Sequence, residues 1–253
     1  DVCPSTEDIL SEIELEKDSL ALIFLGGVHY FSGRVFDMKA ITHAGHNVGS
    51  KVGFDLAHGT GNIPLRLHDW NVDFAAWCSY KYLNGGPGCI AGIFVHEKYH
   101  NDQTLPRFAG WWGHDKKSRF DMPSQFEHIP GAEGWQCSNP PIFPLASLRA
   151  SMEIFQSAGM EALREKSTSL TAYLSFLLSE LPLEIITPLS NQERGCQLSL
   201  RMKKDGKSVF RKLTESGFIV DWREPDVIRV APVPLYNSYH EVWEFAEKLK
   251  SLV

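Results

Sequence analysis

Lys81 sits in the run Ser79-Tyr80-Lys81-Tyr82-Leu83-Asn84-Gly85-Gly86-Pro87-Gly88, and Asp55 lies upstream in Asp55-Leu56-Ala57-His58. An amine flanked by aromatic rings and partly withdrawn from water is held neutral more easily, and a neutral amine attacks carbonyls. A carboxylate brought to the same place keeps a pyridine nitrogen protonated, so that the ring can store electrons. A lysine for the Schiff base and an acid for the ring are what a pyridoxal phosphate (PLP) enzyme needs. Each residue also has a plainer reading. Lys81 alone is a surface lysine, Asp55 a strand-end turn residue, and His58 an exposed turn histidine that near a cofactor would pack on the ring system.

These side chains need elements to deliver them. Ser5 caps a first helix to about Glu16, with Glu7 and Asp8 favourable in its first turn. The apolar run Leu20–Leu25 stops at Gly26-Gly27 and reads as a central parallel strand buried on both faces. Asp37 opens a helix over 38–48. Val52-Gly53-Phe54-Asp55 is a short strand whose carboxyl end presents Asp55, and a strand over 74–78 presents Lys81 in the same way. Ligand sites of open α/β sheets gather at such ends. A further strand covers 90–95. Strands alternating with helices predict an α/β fold with a mostly parallel sheet.

Past Pro144 the texture changes. Residues 145–181 form a long amphipathic helical region broken near Gly159 and stopped by Pro182. Short strands follow at 184–186 and 197–202, then a helix over 208–216, strands at 218–220 and 227–230, and a terminal helix over 238–252. The pattern predicts two units: 1–144, part of a larger sheet domain, and 145–253, a small α+β domain.

Other residues invite chemistry more weakly. Trp111-Trp112 between Gly110 and Gly113 is either a packing corner or an aromatic wall at a ligand site or subunit interface. Asn139 precedes the rigid Pro140-Pro141. Arg229, inside the apolar Ile228-Arg229-Val230, needs a carboxylate, either from an internal salt bridge or from a substrate. His43 and His46 share a helix face but suggest no third metal ligand. The glycine pairs at 26–27, 59/61 and 85–88 match neither a Walker nor a Rossmann pattern.

A net charge of −6 gives no reason to expect nucleic acid or an anionic membrane as partner. The longest apolar stretch, 20–28, is too short to span a bilayer. Cys3, Cys78, Cys89, Cys137 and Cys196 contain no C-x-x-C pair, which predicts a reduced, cytoplasmic compartment. The start at Asp1, with a buried-looking strand close behind, predicts a processed or truncated N-terminus.

Several runs together resemble kynureninase, a PLP enzyme of fold type I in the aspartate aminotransferase superfamily. They are Val52-Gly53-Phe54-Asp55-Leu56-Ala57-His58, Trp77-Cys78-Ser79-Tyr80-Lys81-Tyr82-Leu83-Asn84, Gly110-Trp111-Trp112-Gly113-His114, Ser138-Asn139-Pro140-Pro141, Glu193-Arg194-Gly195-Cys196-Gln197-Leu198 and Ile228-Arg229-Val230-Ala231-Pro232-Val233-Pro234-Leu235-Tyr236-Asn237-Ser238. The resemblance implies a partial fold type I large domain followed by the small domain. It implies that Lys81 carries PLP, Asp55 pairs with the pyridinium, Tyr80 contacts the phosphate and moves a proton, and His58 lies against the cofactor. Trp111 and Asn139 complete the site from the neighbouring subunit of a homodimer, and Arg229 binds the substrate carboxylate.

The implied reaction is hydrolysis of L-kynurenine or 3-hydroxy-L-kynurenine to an anthranilate and L-alanine, in tryptophan catabolism and NAD biosynthesis. The resemblance also places a phosphate-binding loop, a ring-stacking aromatic and a pocket histidine in a part not found here, and a small hydroxyl residue near Gly26. Weak PLP binding and little activity are therefore expected of this polypeptide alone. The competing readings are another fold type I lyase such as a cysteine desulfurase, and an inactive remnant acting by dimerisation. The first needs a reactive loop cysteine, whereas Cys78 and Cys89 lie in apolar strand contexts.

Overall fold

A computed structural model describes residues 3–253. Helix α1 (Thr6–Leu15) starts at a reciprocal capping box between Ser5 and Asp8. Strand β1 (Leu22–Gly26) follows, then α2 (Met38–Asn47), capped by the Asp37 carboxylate on the Ala40 N–H. Strands β2 (Lys51–Asp55), β3 (Phe74–Cys78) and β4 (Ala91–Val95) complete one sheet in the order β1-β2-β3-β4. The first three strands are parallel and β4 is antiparallel to β3. A long irregular stretch with short 3-10 turns leads to α3 (Ile142–Ala158) and α4 (Met160–Leu178), divided at Gly159.

The second sheet is antiparallel. It comprises β5 (Leu183–Ile185) and β6 (Leu198–Met202), then, after α5 (Gly206–Glu215), β7 (Asp221–Arg223) and β8 (Val227–Val230), in the order β5-β6-β8-β7. The last helix, α6 (Tyr239–Lys250), starts at a second capping box, Ser238 with Glu241. Leu170, Leu174 and Leu178 of α4 and Val242, Phe245 and Leu249 of α6 pack on Leu198, Leu200, Ile228 and Val230 of this sheet. A separate core joins Ile41 of α2 to Ile23, Val52, Phe54, Leu56 and Val72 around the first sheet. Among the described residues no helix is long and apolar enough to cross a membrane.

Two expectations are corrected. β1 is an edge strand of its sheet, and it is buried on one face only: Ile23 points into the core while Leu22 and Phe24 are 51% and 49% exposed. The face that carries Leu22 and Ile93 is met in part by Leu105 and Trp135 of the irregular stretch. The strand expected at 218–220 lies three residues later, at 221–223, and Ile219 is wholly exposed. Register explains the shift, because Asp221, Trp222 and Arg223 pair with Arg229, Ile228 and Val227.

Asp73, just before β3, is a buried acid that the sequence reading passed over. Its carboxylate accepts from the Val52 N–H at 2.6 Å, from His46 Nε2 at 2.9 Å and from the Tyr99 hydroxyl at 2.6 Å, with Lys98 Nζ also at 2.6 Å. Burial opposes ionisation, but the bonds from Lys98, Tyr99, Val52 and His46 outweigh it and hold the carboxyl far below the usual range. The cluster clamps the entries of β2 and β3, the two strands that deliver Asp55 and Lys81. A depressed folded-state pKa gives stability that is complete above the unfolded value of about 4 and fades as pH falls below it. Asp73→Asn is therefore expected to lose about 2–4 kcal/mol at pH 7. In urea denaturation the gap to wild type should narrow as pH drops below about 4; a gap independent of pH would contradict the clamp.

Candidate active site

The site begins where β2 and β3 end. Leu56 extends the parallel pairing by donating its N–H to the Ala76 carbonyl at 2.8 Å, and the chain then turns. Asp55, at the tip of β2, is exposed, and its Oδ1 accepts from the Ala57 N–H at 2.8 Å. Among the described residues no cation is paired with it.

The turn itself is held hard. Gly61 has φ of +80°, and a Cβ there would come within 2.7 Å of the Tyr82 carbonyl oxygen. The turn and the Lys81 segment therefore touch through bare backbone, which only glycine permits. Asn62 Nδ2 donates to the His58 carbonyl at 2.9 Å, and its Oδ1 accepts from the Cys196 N–H at 2.9 Å. His58 is thereby fixed relative to both β3 and the segment entering β6.

Three residues past the end of β3, Lys81 Nζ lies 3.2 Å from His58 Nε2. Burial, then the positive charges of Lys81 and Arg229, push His58 down to about 4, against a smaller upward pull from Asp55. The ring is uncharged at pH 7. With an ammonium at Lys81, Nε2 accepts and the proton of the ring sits on Nδ1, which is buried and has no hydrogen-bond partner among the described residues. Tyr82 meets the His58 ring edge-on at 5.9 Å. Its phenol is pushed well up by burial, so it stays protonated.

Arg229, on β8, belongs to the same electrostatic neighbourhood, since it and Arg223 both act on His58. Its guanidinium is also an internal ion-pair partner: Nε donates to Asp221 at 2.6 Å, and NH1 donates to the Tyr30 carbonyl at 2.5 Å. Tyr80, between Ser79 and Lys81, is exposed, and its phenol is raised by a hydrogen bond with the Cys78 thiol. Lys81, His58, Asp55 and Arg229 thus gather at one end of the first sheet.

Trp111 and Asn139 do not join them within one chain. Trp111 packs edge-on against Trp112 at 5.2 Å and Phe120 at 5.7 Å, and Asn139 is exposed with only the Ser138 hydroxyl on its Oδ1. None of these bonds or ring contacts reaches Lys81 or His58. His46, one of the helix histidines, is engaged by Asp73. Asp221 and Arg223 escaped the sequence reading, and Tyr82 entered it only as one of the rings flanking Lys81. The i, i+2 spacing of Asp221 and Arg223 was a usable signal, because two charges at that spacing share one face of a strand.

Comparison with known proteins places this geometry. Residues 163–249 match the kynureninase C-terminal domain model. A kynureninase of Flavobacterium psychrophilum is 56% identical over 250 residues, covering 96% of this chain and 59% of that protein. The Mus musculus kynureninase is 52% identical over 98% of this chain and 55% of its own length. The chain thus spans less than two thirds of the curated relatives it matches. A cysteine desulfurase from Thermococcus onnurineus superposes with a TM-score of 0.80 at 16% identity, over 99% of this chain and 65% of that one. A C-DES mutant with glycine covalently linked to its PLP cofactor gives 0.77 at 18%, over 93% of this chain and 63% of that one. The last two likenesses establish a shared fold, that of PLP fold type I enzymes, and the sequence matches go further: along nearly its whole length this chain is similar to kynureninases.

Proposed function

We propose that the chain carries the lysine-bearing part of a kynureninase active site, which binds PLP and hydrolyses L-kynurenine or 3-hydroxy-L-kynurenine to the anthranilate and L-alanine. The observation that carries this is the contact of Lys81 Nζ with an uncharged His58 at the carboxyl ends of β2 and β3, with Asp55 beside it. The donor set fits the cofactor. It offers an amine for the aldehyde, an exposed carboxylate for the ring nitrogen, and a buried imidazole nitrogen still without a partner. When bound, PLP supplies the electron sink.

The chain's own residues do the rest. His58 Nε2, uncharged, accepts a hydrogen bond from Lys81 Nζ and orients the amine, and Lys81 then moves protons at the substrate's Cα. Asp55 keeps the ring nitrogen protonated. Tyr80 contacts the phosphate and returns a proton to the carbon released when the Cβ–Cγ bond breaks. Arg229 receives the α-carboxylate. Trp111 and Asn139 serve the site of the neighbouring subunit in a homodimer, a reading supported by the lack, among the described residues, of a hydrogen bond or ring contact from either to Lys81 or His58. Residues 1–144 act as the cofactor-side domain and 145–253 as the small domain. Five unpaired cysteines favour a reducing cytoplasm.

Titration with PLP should give a visible absorbance band that borohydride fixes covalently in wild type and not in Lys81→Ala. A folded chain that gives no such band at saturating PLP sinks the reading. Hydrolysis of L-kynurenine, followed by anthranilate fluorescence, is then expected to fall by at least about a thousandfold in Lys81→Ala, the loss typical of removing a nucleophile that also acts as base. His58 should titrate near pH 4 by nuclear magnetic resonance. A midpoint at the ordinary imidazole value of about 6.5 would remove its assigned role toward Lys81.

A further inference from the structure

Asp221 and Arg229 stand directly opposite each other in the antiparallel β7–β8 pair, and one carboxylate oxygen holds two arginines. Asp221 Oδ2 accepts from Arg229 Nε at 2.6 Å and is also bonded by Arg229 NH2. Arg223 Nε donates to the same oxygen at 2.9 Å. The Arg229 side chain is 12% exposed, against 46% for Asp221 and 42% for Arg223. The inner guanidinium is therefore withdrawn from water while its two partners reach the surface.

A guanidinium has five N–H donors. In Arg229, Nε and one N–H of NH2 go to Asp221, and one N–H of NH1 goes to the Tyr30 carbonyl. One N–H remains on each terminal nitrogen, enough donors for the two-point contact that a carboxylate makes. Charge matters as much as geometry. Asp221 and Arg229 alone would form a neutral pair with little attraction for an anion. Arg223 on the same oxygen leaves the group of three with a net positive charge, and both arginines are close enough to bear on His58, which touches Lys81.

We propose that Asp221 is the positioning residue that fixes the plane of Arg229 for an amino-acid carboxylate, and that Arg223 supplies the net positive charge that makes this pair an anion receptor. The inference rests on the reading given under Proposed function. It assigns a built unit of three side chains to substrate selection, in which Arg223 reaches the ligand only through the field of the unit.

The test uses the PLP-loaded chain and two small amines that differ in the carboxylate alone, L-alanine and ethylamine. Their binding is read as a shift of the visible band. Arg223→Gln should weaken L-alanine about tenfold, about 1.4 kcal/mol. Asp221→Asn, which raises the net charge but frees Arg229, should weaken it less. Both should leave ethylamine unchanged, and Asp221→Glu should restore part of the Asp221 loss. Unchanged L-alanine affinity in both variants overturns the proposal, as does equal weakening of both amines, which would signal a merely structural role. Arg223 is half-exposed, so Arg223→Gln decides the charge argument even if Asp221→Asn does not fold. A wild-type chain that yields no visible band defeats the underlying reading and this inference together, whereas a loaded wild type with unmoved variants defeats the inference alone.

Discussion

The loop after β1 has no strand to pair with, and its buried carbonyls must still find donors. They find them on the second sheet. Thr187 donates its hydroxyl to the Ser32 carbonyl and Ser199 donates to that of Phe31, each at 2.5 Å. Gln197 Nε2 spans the Tyr30 and Phe31 carbonyls at 3.2 and 3.3 Å, and Arg229 adds its own bond to Tyr30. Thr187, Gln197 and Ser199 are all buried. Beside them, Arg34 pairs with Glu193 at 2.8 Å and the Val35 N–H donates to the Glu193 carbonyl. This seam fixes Arg229, on one sheet, relative to Lys81, on the other.

Because the seam is polar and buried, it is selective rather than adhesive. A buried carbonyl deprived of its donor costs about 1–3 kcal/mol, far more than the small net gain of making the bond. The two sheets therefore have one satisfactory register, and sliding them would orphan several groups at once. Apolar contact alone, in the small cluster of Leu83, Phe155 and Leu163, would tolerate more sliding. The same logic governs charge. The amine end of the site contains an uncharged imidazole and an open carboxylate, and the arginine end a guanidinium already oriented by an acid.

Much of this could be read from the residues, because the informative signals were local. Glycine and proline punctuated the strands that deliver Asp55 and Lys81, and Gly159 divided the long helical region where the structure divides it. Ser5 announced its helix through capping chemistry, which lies within four residues. The failures share a cause: each depended on partners distant in the chain. The apolar run of β1 says nothing about whether a layer covers it. The apolar triplet 218–220 looks more like a strand than Asp-Trp-Arg does, yet pairing with β8 selected the charged one. Asp73 is an ordinary turn acid until His46, Lys98 and Tyr99 converge on it. Arg229 kept two readings open, ion pair or ligand contact, and the structure shows the ion pair, with donors to spare.

The partly open face of the first sheet has a colloidal consequence. The chain has a mass of 28.5 kDa. A compact protein of that mass exposes about 11000 Å². This one exposes 14359 Å². Part of the excess is apolar: Leu22, Phe24 and Ile93 on the sheet, and Ile142, Phe143 and Ile154 along α3. Beside that face runs the outer edge of β1, whose backbone donors and acceptors have no neighbouring strand among the described residues. An open strand edge next to a greasy face is a template for pairing with another chain. A net charge of −6 supplies only weak repulsion between copies. Such a surface favours association between copies, more so as salt screens their charge.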